Sequence, residues 1–165
     1  MIRILACFMA LFLAGCADHR HRLVVSVAQQ RMALFDEGKP VAMFPVSTSK
    51  FCLSDNPGSY GTPLGRLEVA QKIGEGQPLG MKFKDRRPTG EIVPANAPGR
   101  DPIVTRILWL RGKEPWNAHS YDRDIYIHGT AEEHKLGKPA SYGCVRMSSR
   151  DVAWLYDQIG RETRV

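Results

Sequence analysis

At 165 residues, 43% hydrophobic and 24% charged, the chain has the length of one domain and enough apolar side chains to bury a core. Its net charge is +6, and the basic residues are scattered, which suits either a solvated basic surface or attraction to an anionic polymer or membrane face. Zinc-knuckle spacing, an aromatic-rich RNA-binding signature and a basic helix are all missing, so no nucleic acid is expected as a partner.

Residues 1–15 carry Arg3, then the almost wholly apolar run Ile4–Ala14, then small residues. This reads as a secretory signal peptide, too short to span a bilayer. Its end, Leu13-Ala14-Gly15-Cys16, resembles the bacterial lipobox, which implies acylation of Cys16 and a membrane anchor. Several acyl chains hold durably where one holds marginally. Residues 16–22 are then the lipidated cysteine and a polar linker spanning about 20 Å at ~3.3–3.6 Å per residue. The tract His19-Arg20-His21-Arg22 fits a basic segment near headgroups better than a metal site. Of four cysteines, Cys7 and Cys16 belong to this leader, so no disulfide framework is expected; Cys52 is expected to be a buried, inert thiol.

The body, residues 23–165, opens with strand patterns. Leu23, Val25 and Val27 alternate with their neighbours, Met32–Phe35 follows, Asp36-Glu37-Gly38-Lys39 is a turn signal, and Val41–Ser47 returns, which predicts a hairpin. Ser54–Gly61 is rich in breakers and predicts a loop that ends at Thr62-Pro63-Leu64-Gly65, with a strand from Arg66 to about Lys72. Residues 74–102, rich in Gly, Pro and charge, predict a partly ordered flap. Ile103–Leu110 and Ile125–His128 read as strands. Thr130-x-x-Glu133 fits a capping box closing a single turn at Gly137. Ser148-Ser149-Arg150-Asp151 is a second box, followed by Val152, Leu155, Tyr156 and Ile159 at helical spacing and Gly160 as a stop, the clearest helix in the chain.

Within Tyr126–Met147 a histidine ends an apolar run and a cysteine follows it 16 positions later, preceded by Gly143 and followed by Val145 and Arg146. A thiol attacks a carbonyl as thiolate and needs a base, which His128 supplies, and an exposed sulfur, which a sharp turn at Gly143 permits. Backbone N–H groups at Gly143 and Cys144 are placed to meet an oxyanion. Position alone also allows a packed imidazole and a buried thiol.

Ile127-His128-Gly129-Thr130, Leu136-Gly137 and Ser141-x-Gly143-Cys144-Val145-Arg146-Met147 together resemble the signature of the L,D-transpeptidases, the YkuD-type catalytic domain. Ser47-Thr48-Ser49 and Thr-Pro-x-Gly extend the likeness. One position departs: Tyr142 stands where the family usually has a second histidine. A phenol with a pKa near 10 is a poor base at neutral pH, so His128 is left to carry proton transfer alone. The resemblance implies a mostly β fold, a sandwich with one main α-helix and the cysteine in a cleft under a flap; a final strand after the helix is in question, because Glu162–Val165 is barely long enough.

The implied reaction is acyl transfer on peptidoglycan stem tetrapeptides at the bond between an L-diamino acid and a D-residue. Cys144 is the nucleophile, His128 the proton donor and acceptor, Gly143 an oxyanion donor, and the Gly129 carbonyl the group that orients His128. Arg146, Ser141 and Tyr142 are candidate substrate-binding residues, with Arg146 equally readable as a tie within the domain and Ser141 as a loop-closing hydroxyl. No cofactor or metal is implied, since the spacings of His119, His128, His134 and Cys144 match no familiar ligand set. The expected partners are peptidoglycan stem peptides and, through Cys16, a membrane, with the protein a monomer, exported and facing the cell wall. The alternatives are a catalytically inactive cell-wall-binding lipoprotein of the same fold and an L,D-carboxypeptidase or amidase-like hydrolase.

Overall fold

The computed structural model describes residues 17–99 and 101–165. The expected signal peptide and acylated Cys16 lie outside these. Strands β1 (His21–Ser26), β2 (Arg31–Asp36) and β3 (Lys39–Pro45) form an antiparallel meander in the order β1-β2-β3. The expected hairpin is therefore its second half. The supposed linker is partly folded: β1 begins at His21, and the Asp18 carboxylate accepts from the Gly160 N–H at 2.7 Å and the Thr163 hydroxyl at 2.8 Å. The linker ends about where Asp18 is pinned, and the domain starts before residue 23.

The larger sheet is built on β7 (Ile103–Gly112). On one edge β7 pairs with β8 (Tyr126–Thr130), which in turn pairs in parallel with the short β9 (Val145–Met147). Along its other edge it takes two partners in succession, β5 (Met81–Lys84) at Ile103 and Val104 and β4 (Leu67–Ile73) from Ile107 onward. The change of partner falls at Thr105, a β-branched residue at φ +70, where the β7–β8 register also shifts. A bulge re-aims a strand at such a point. The Thr105 hydroxyl is fixed on both sides, accepting from the Gly80 N–H and donating to Ser149. β6 (Arg87–Ile92) returns antiparallel to β5 through Asp85 and Arg86, both at positive φ, the turn that suits strand twist. This hairpin is the expected flap, more regular than the composition suggested.

Side chains alternate between faces along a strand, and this sorts the large sheet. Leu108, Leu110, Ile127, Val145 and Met147 point into the main core, against Leu23, Met32 and Leu34 of the meander and Val152, Leu155 and Ile159 of the helix. Burying each such side chain stabilises the fold by ~1.5–3 kcal/mol. Ile107, Trp109 and Tyr126 point the other way, beneath Met81 and Phe83 of the flap.

The helix α1 (Ser149–Gln158) starts where the capping pattern placed it: the Ser148 hydroxyl accepts from the Asp151 N–H at 3.0 Å. Glu133 does not close the first box. Its carboxylate accepts from the Ser149 N–H at 2.8 Å and so serves α1, while Glu133–Lys135 forms one 3-10 turn. The C-terminal segment forms no full strand; Arg164 bridges to Arg22 of β1 and Glu68 of β4 and so ties the two sheets together.

Candidate active site

The parallel pairing of β8 and β9 brings the two predicted groups together. Ile127 stands opposite Val145 and His128 opposite Arg146, and Ile127 and Val145 both face the core. Tyr126 and His128 on one strand, and Cys144 and Arg146 at the start of the other, therefore share the opposite face, with Cys144 packed against the cluster under the flap. His128 is not at the end of its strand, as expected, but inside β8 and 5% exposed. Cys144 remains half-buried.

The imidazole is oriented by backbone. His128 Nδ1 lies 2.9 Å from the Gly129 carbonyl oxygen, and a carbonyl only accepts, so Nδ1 carries the hydrogen and Nε2 keeps its lone pair for a proton. A side chain at residue 129 would put Cβ 2.5 Å from the Val104 carbonyl oxygen, so the orienting position has room only for glycine. Burial pushes the His128 imidazole below its ordinary value, opposed by its bond to Gly129 and the charge of Asp101.

The sulfur sits between two backbone groups. The Tyr126 N–H donates to it at 3.4 Å and the thiol donates to the Asp124 carbonyl at 3.4 Å. Burial pushes the Cys144 thiol up to about 11, while the Tyr126 N–H and the Arg146 charge pull it down. At neutral pH the resting pair is thus thiol and neutral imidazole, an arrangement from which attack by the sulfur would require its proton to move to a base.

The loop before Cys144 is braced by both remaining motifs. Gly143 has φ +123, and a Cβ there would stand 3.1 Å from the Gly61 carbonyl oxygen. Its own carbonyl accepts from Thr62 of Thr-Pro-x-Gly at 2.8 Å. The N–H groups of Ala140 and Ser141 donate to Thr48, and Ser47 and Arg146 exchange two backbone bonds. Ser141 is 1% exposed and donates to the Cys144 carbonyl at 2.6 Å, which fits a loop-closing hydroxyl and not a substrate contact. That hydroxyl also accepts the Gly143 N–H at 3.2 Å, so this amide, expected at the oxyanion, is engaged. The N–H groups of Tyr142 and Cys144 donate to no protein acceptor among the described residues.

Arg146 is committed as well. Its guanidinium pairs with Asp101 at 3.0 Å and Glu132 at 3.0 Å, with side-chain exposures of 7%, 7% and 17%, the geometry of a tie within the domain. Tyr142 is 56% exposed beside Phe51 and Tyr60. Cys52 is exposed, not buried, and its thiol donates to the Ser59 carbonyl at 3.5 Å. The parts that sequence reasoning missed are the Asp124 carbonyl, the Tyr126 amide, Asp101 and Glu132. None has a local signal, although Thr62 and Ser47–Ser49 were marked by the resemblance. Among the described residues no three His, Cys, Asp or Glu side chains gather to hold a metal ion.

Comparison with known proteins finds relatives of low identity that cover most of the chain. Two Escherichia coli K12 proteins, "Probable L,D-transpeptidase YbiS" and "Probable L,D-transpeptidase ErfK/SrfK", are 25% and 26% identical over 146 and 149 residues. The matches cover 87% and 88% of this chain but 43% of each relative, so the chain spans less than half their length. The fold is shared with an L,D-transpeptidase from Xylanimonas cellulosilytica, at a TM-score of 0.57 and 19% identity, covering 90% of this chain and 60% of that one. The pattern of the YkuD L,D-transpeptidase catalytic domain matches residues 20–165, from one residue before β1 to Val165, and the chain belongs to that family.

Proposed function

We propose that this domain is a peptidoglycan L,D-transpeptidase working through Cys144. The observation that carries the reading is the fixed tautomer of His128 on the same sheet face as the sulfur, where the pairing of β8 with β9 puts both. Cys144 attacks the carbonyl of the diamino acid, and its proton passes to His128 Nε2. The C–N bond then breaks, and the leaving D-residue amine takes that proton. A second amine attacks the thioester, gives its proton to His128, and the thiol is restored. The oxyanion is met by the N–H groups of Cys144 and Tyr142, each such donor being worth roughly 2.7–4 kcal/mol of barrier.

In the same reading residues 1–15 are removed, Cys16 is acylated, and the monomeric domain faces the cell wall from a membrane surface. Asp18, pinned to Gly160 and Thr163, keeps that distance short. The test is incubation of the protein with purified muropeptides and mass analysis of every product. Crosslinked or exchanged stems are expected from the unaltered protein and none from Cys144→Ala; undiminished product from the variant would sink the proposal.

A further inference from the structure

Beside the nucleophile lies a surface that neither the core nor the dyad uses. Phe51, Tyr60 and Tyr142 come from three separate segments, leave 52%, 57% and 56% of their area in solvent, and pack on one another with centroids 5.1–5.8 Å apart. The ammonium of Lys50 stands 4.5 Å from the Tyr142 ring centre and 5.1 Å from that of Phe51, donating to the Tyr142 hydroxyl at 3.2 Å.

This arrangement is held in place from below. The Lys50 N–H donates to the Ser141 carbonyl at 3.1 Å. Tyr60 sits at φ +54, a costly conformation for an aromatic residue, and its carbonyl accepts from Ser49 at 2.6 Å. Arg123, paired with the buried Asp55 at 2.8 Å, also donates to the carbonyls of Ser54 and Gly61 and so fixes the loop that carries Tyr60. An apolar patch kept open to water on a rigid polar frame is the mark of a binding surface.

The charges nearby tell what it binds. Against Lys50 and Tyr142 opens a cleft of about 320 Å³, also lined by Asp101, Glu132, Lys135 and Arg146. Arg146 is taken up by Asp101 and Glu132, and Lys135 by Glu132 at 2.6 Å. Lys50 has no carboxylate partner among the described residues. We propose that Lys50, and not Arg146, receives a carboxylate of the stem peptide, with the three rings covering the apolar atoms beside it. The proposal rests on the transpeptidase reading of the site. That carboxylate belongs either to the terminal D-residue or to the interior of the stem, and Lys50 offers both the same chemistry.

The experiment uses the full chain with Cys144→Ala, titrated calorimetrically with a tetrapeptide muropeptide in three forms: unmodified, amidated at the terminal carboxyl, and amidated within the stem. Adding Lys50→Met should weaken binding of the unmodified form about tenfold, the effect of losing one charge-assisted contact, whereas Lys50→Arg should keep most of it. One amidated form should bind as weakly to the Lys50 protein as the unmodified form binds to Lys50→Met, and should be indifferent to that substitution; which form does so identifies the carboxylate. Equal binding with Lys50→Met, or no loss with either amidated form, overturns the proposal. Turnover separates the two readings: product from the unaltered protein with an unchanged KM in Lys50→Met rejects this inference alone, while no product from any form rejects the transpeptidase reading.

Discussion

Replacing Arg146 by Met keeps most of the side-chain volume and removes the charge that Asp101 and Glu132 share. All three side chains are less than a fifth exposed, so water screens little of the loss. Breaking a buried ion pair from one side costs ~3–5 kcal/mol. Two compensations remain: Glu132 keeps Lys135 at 2.6 Å, and Asp101 still accepts from the Thr130 hydroxyl at 2.6 Å and the Ala131 N–H at 3.0 Å. The cost therefore falls at the lower end, about 3 kcal/mol, or ~6–12 °C in Tm for a domain of this size. Thermal unfolding followed by circular dichroism at pH 7 measures it.

Adding Asp101→Asn and Glu132→Gln should restore much of that stability, because no unpaired charge is then left inside. The gap between the unaltered protein and Arg146→Met should also narrow in acid. The hydrogen bond from Lys135, opposed by burial and helped by Arg146, lowers the Glu132 carboxyl below its ordinary 4.5; its stabilisation is present above that value and fades as pH falls through the lowered one. A variant that melts within about 2 °C of the unaltered protein, no more than about one kcal/mol, and shows a raised KM would refute the argument and return Arg146 to the substrate.

The remaining expectations concern the dyad. Because burial lowers His128 and raises Cys144 to about 11, alkylation of Cys144 by iodoacetamide should keep accelerating past pH 9, and saturation near the ordinary thiol value of ~8.5 would count against it. The acid limb of kcat/KM should have its midpoint below 6.5, where the imidazole ordinarily titrates. The same shift makes the unfolded chain the better proton binder between the lowered value and 6.5, so this part of the stability grows as pH rises through that window and is complete above it. Gly143→Ala, forced to hold φ +123 with Cβ 3.1 Å from the Gly61 carbonyl, should lose ~1–3 kcal/mol of stability and most of its alkylation rate; a denaturant midpoint equal to that of the parent would show that the turn relaxes freely.

What could be read from the chain follows how local each signal is. The helix carried its own cap and apolar spacing, and α1 forms as Ser148 and Val152–Ile159 indicated. The meander alternated visibly. β6 did not, because every one of its residues is exposed and no buried face imposes a period. β9 has three residues and is held by distant partners, β8 on one side and Ser47 on the other, which no short window can show. His128 and Cys144 were legible because their chemistry is rare, but Arg146 stayed ambiguous until Asp101 and Glu132 were seen around it. Cys52 was misjudged since its exposure depends on how the Ser54–Gly61 loop folds back under Arg123.

The parallel rungs between β8 and β9 also separate two rates of change. In the proposed reaction the nucleophile and base are spaced by strand register, so the excursion that joins the strands can vary in length without retuning the chemistry. Gly137, Lys138 and Pro139 are exposed within it, and doubling a loop costs only ~0.6 kcal/mol. A single residue inserted between Tyr142 and Val145 is different: a one-position slip turns every following side chain to the other face, sending the sulfur into the core. Insertions are thus expected to accumulate at 137–139, where acceptors could come to be discriminated anew, while the segment from Ser141 to Cys144 that leads into β9 stays fixed in length.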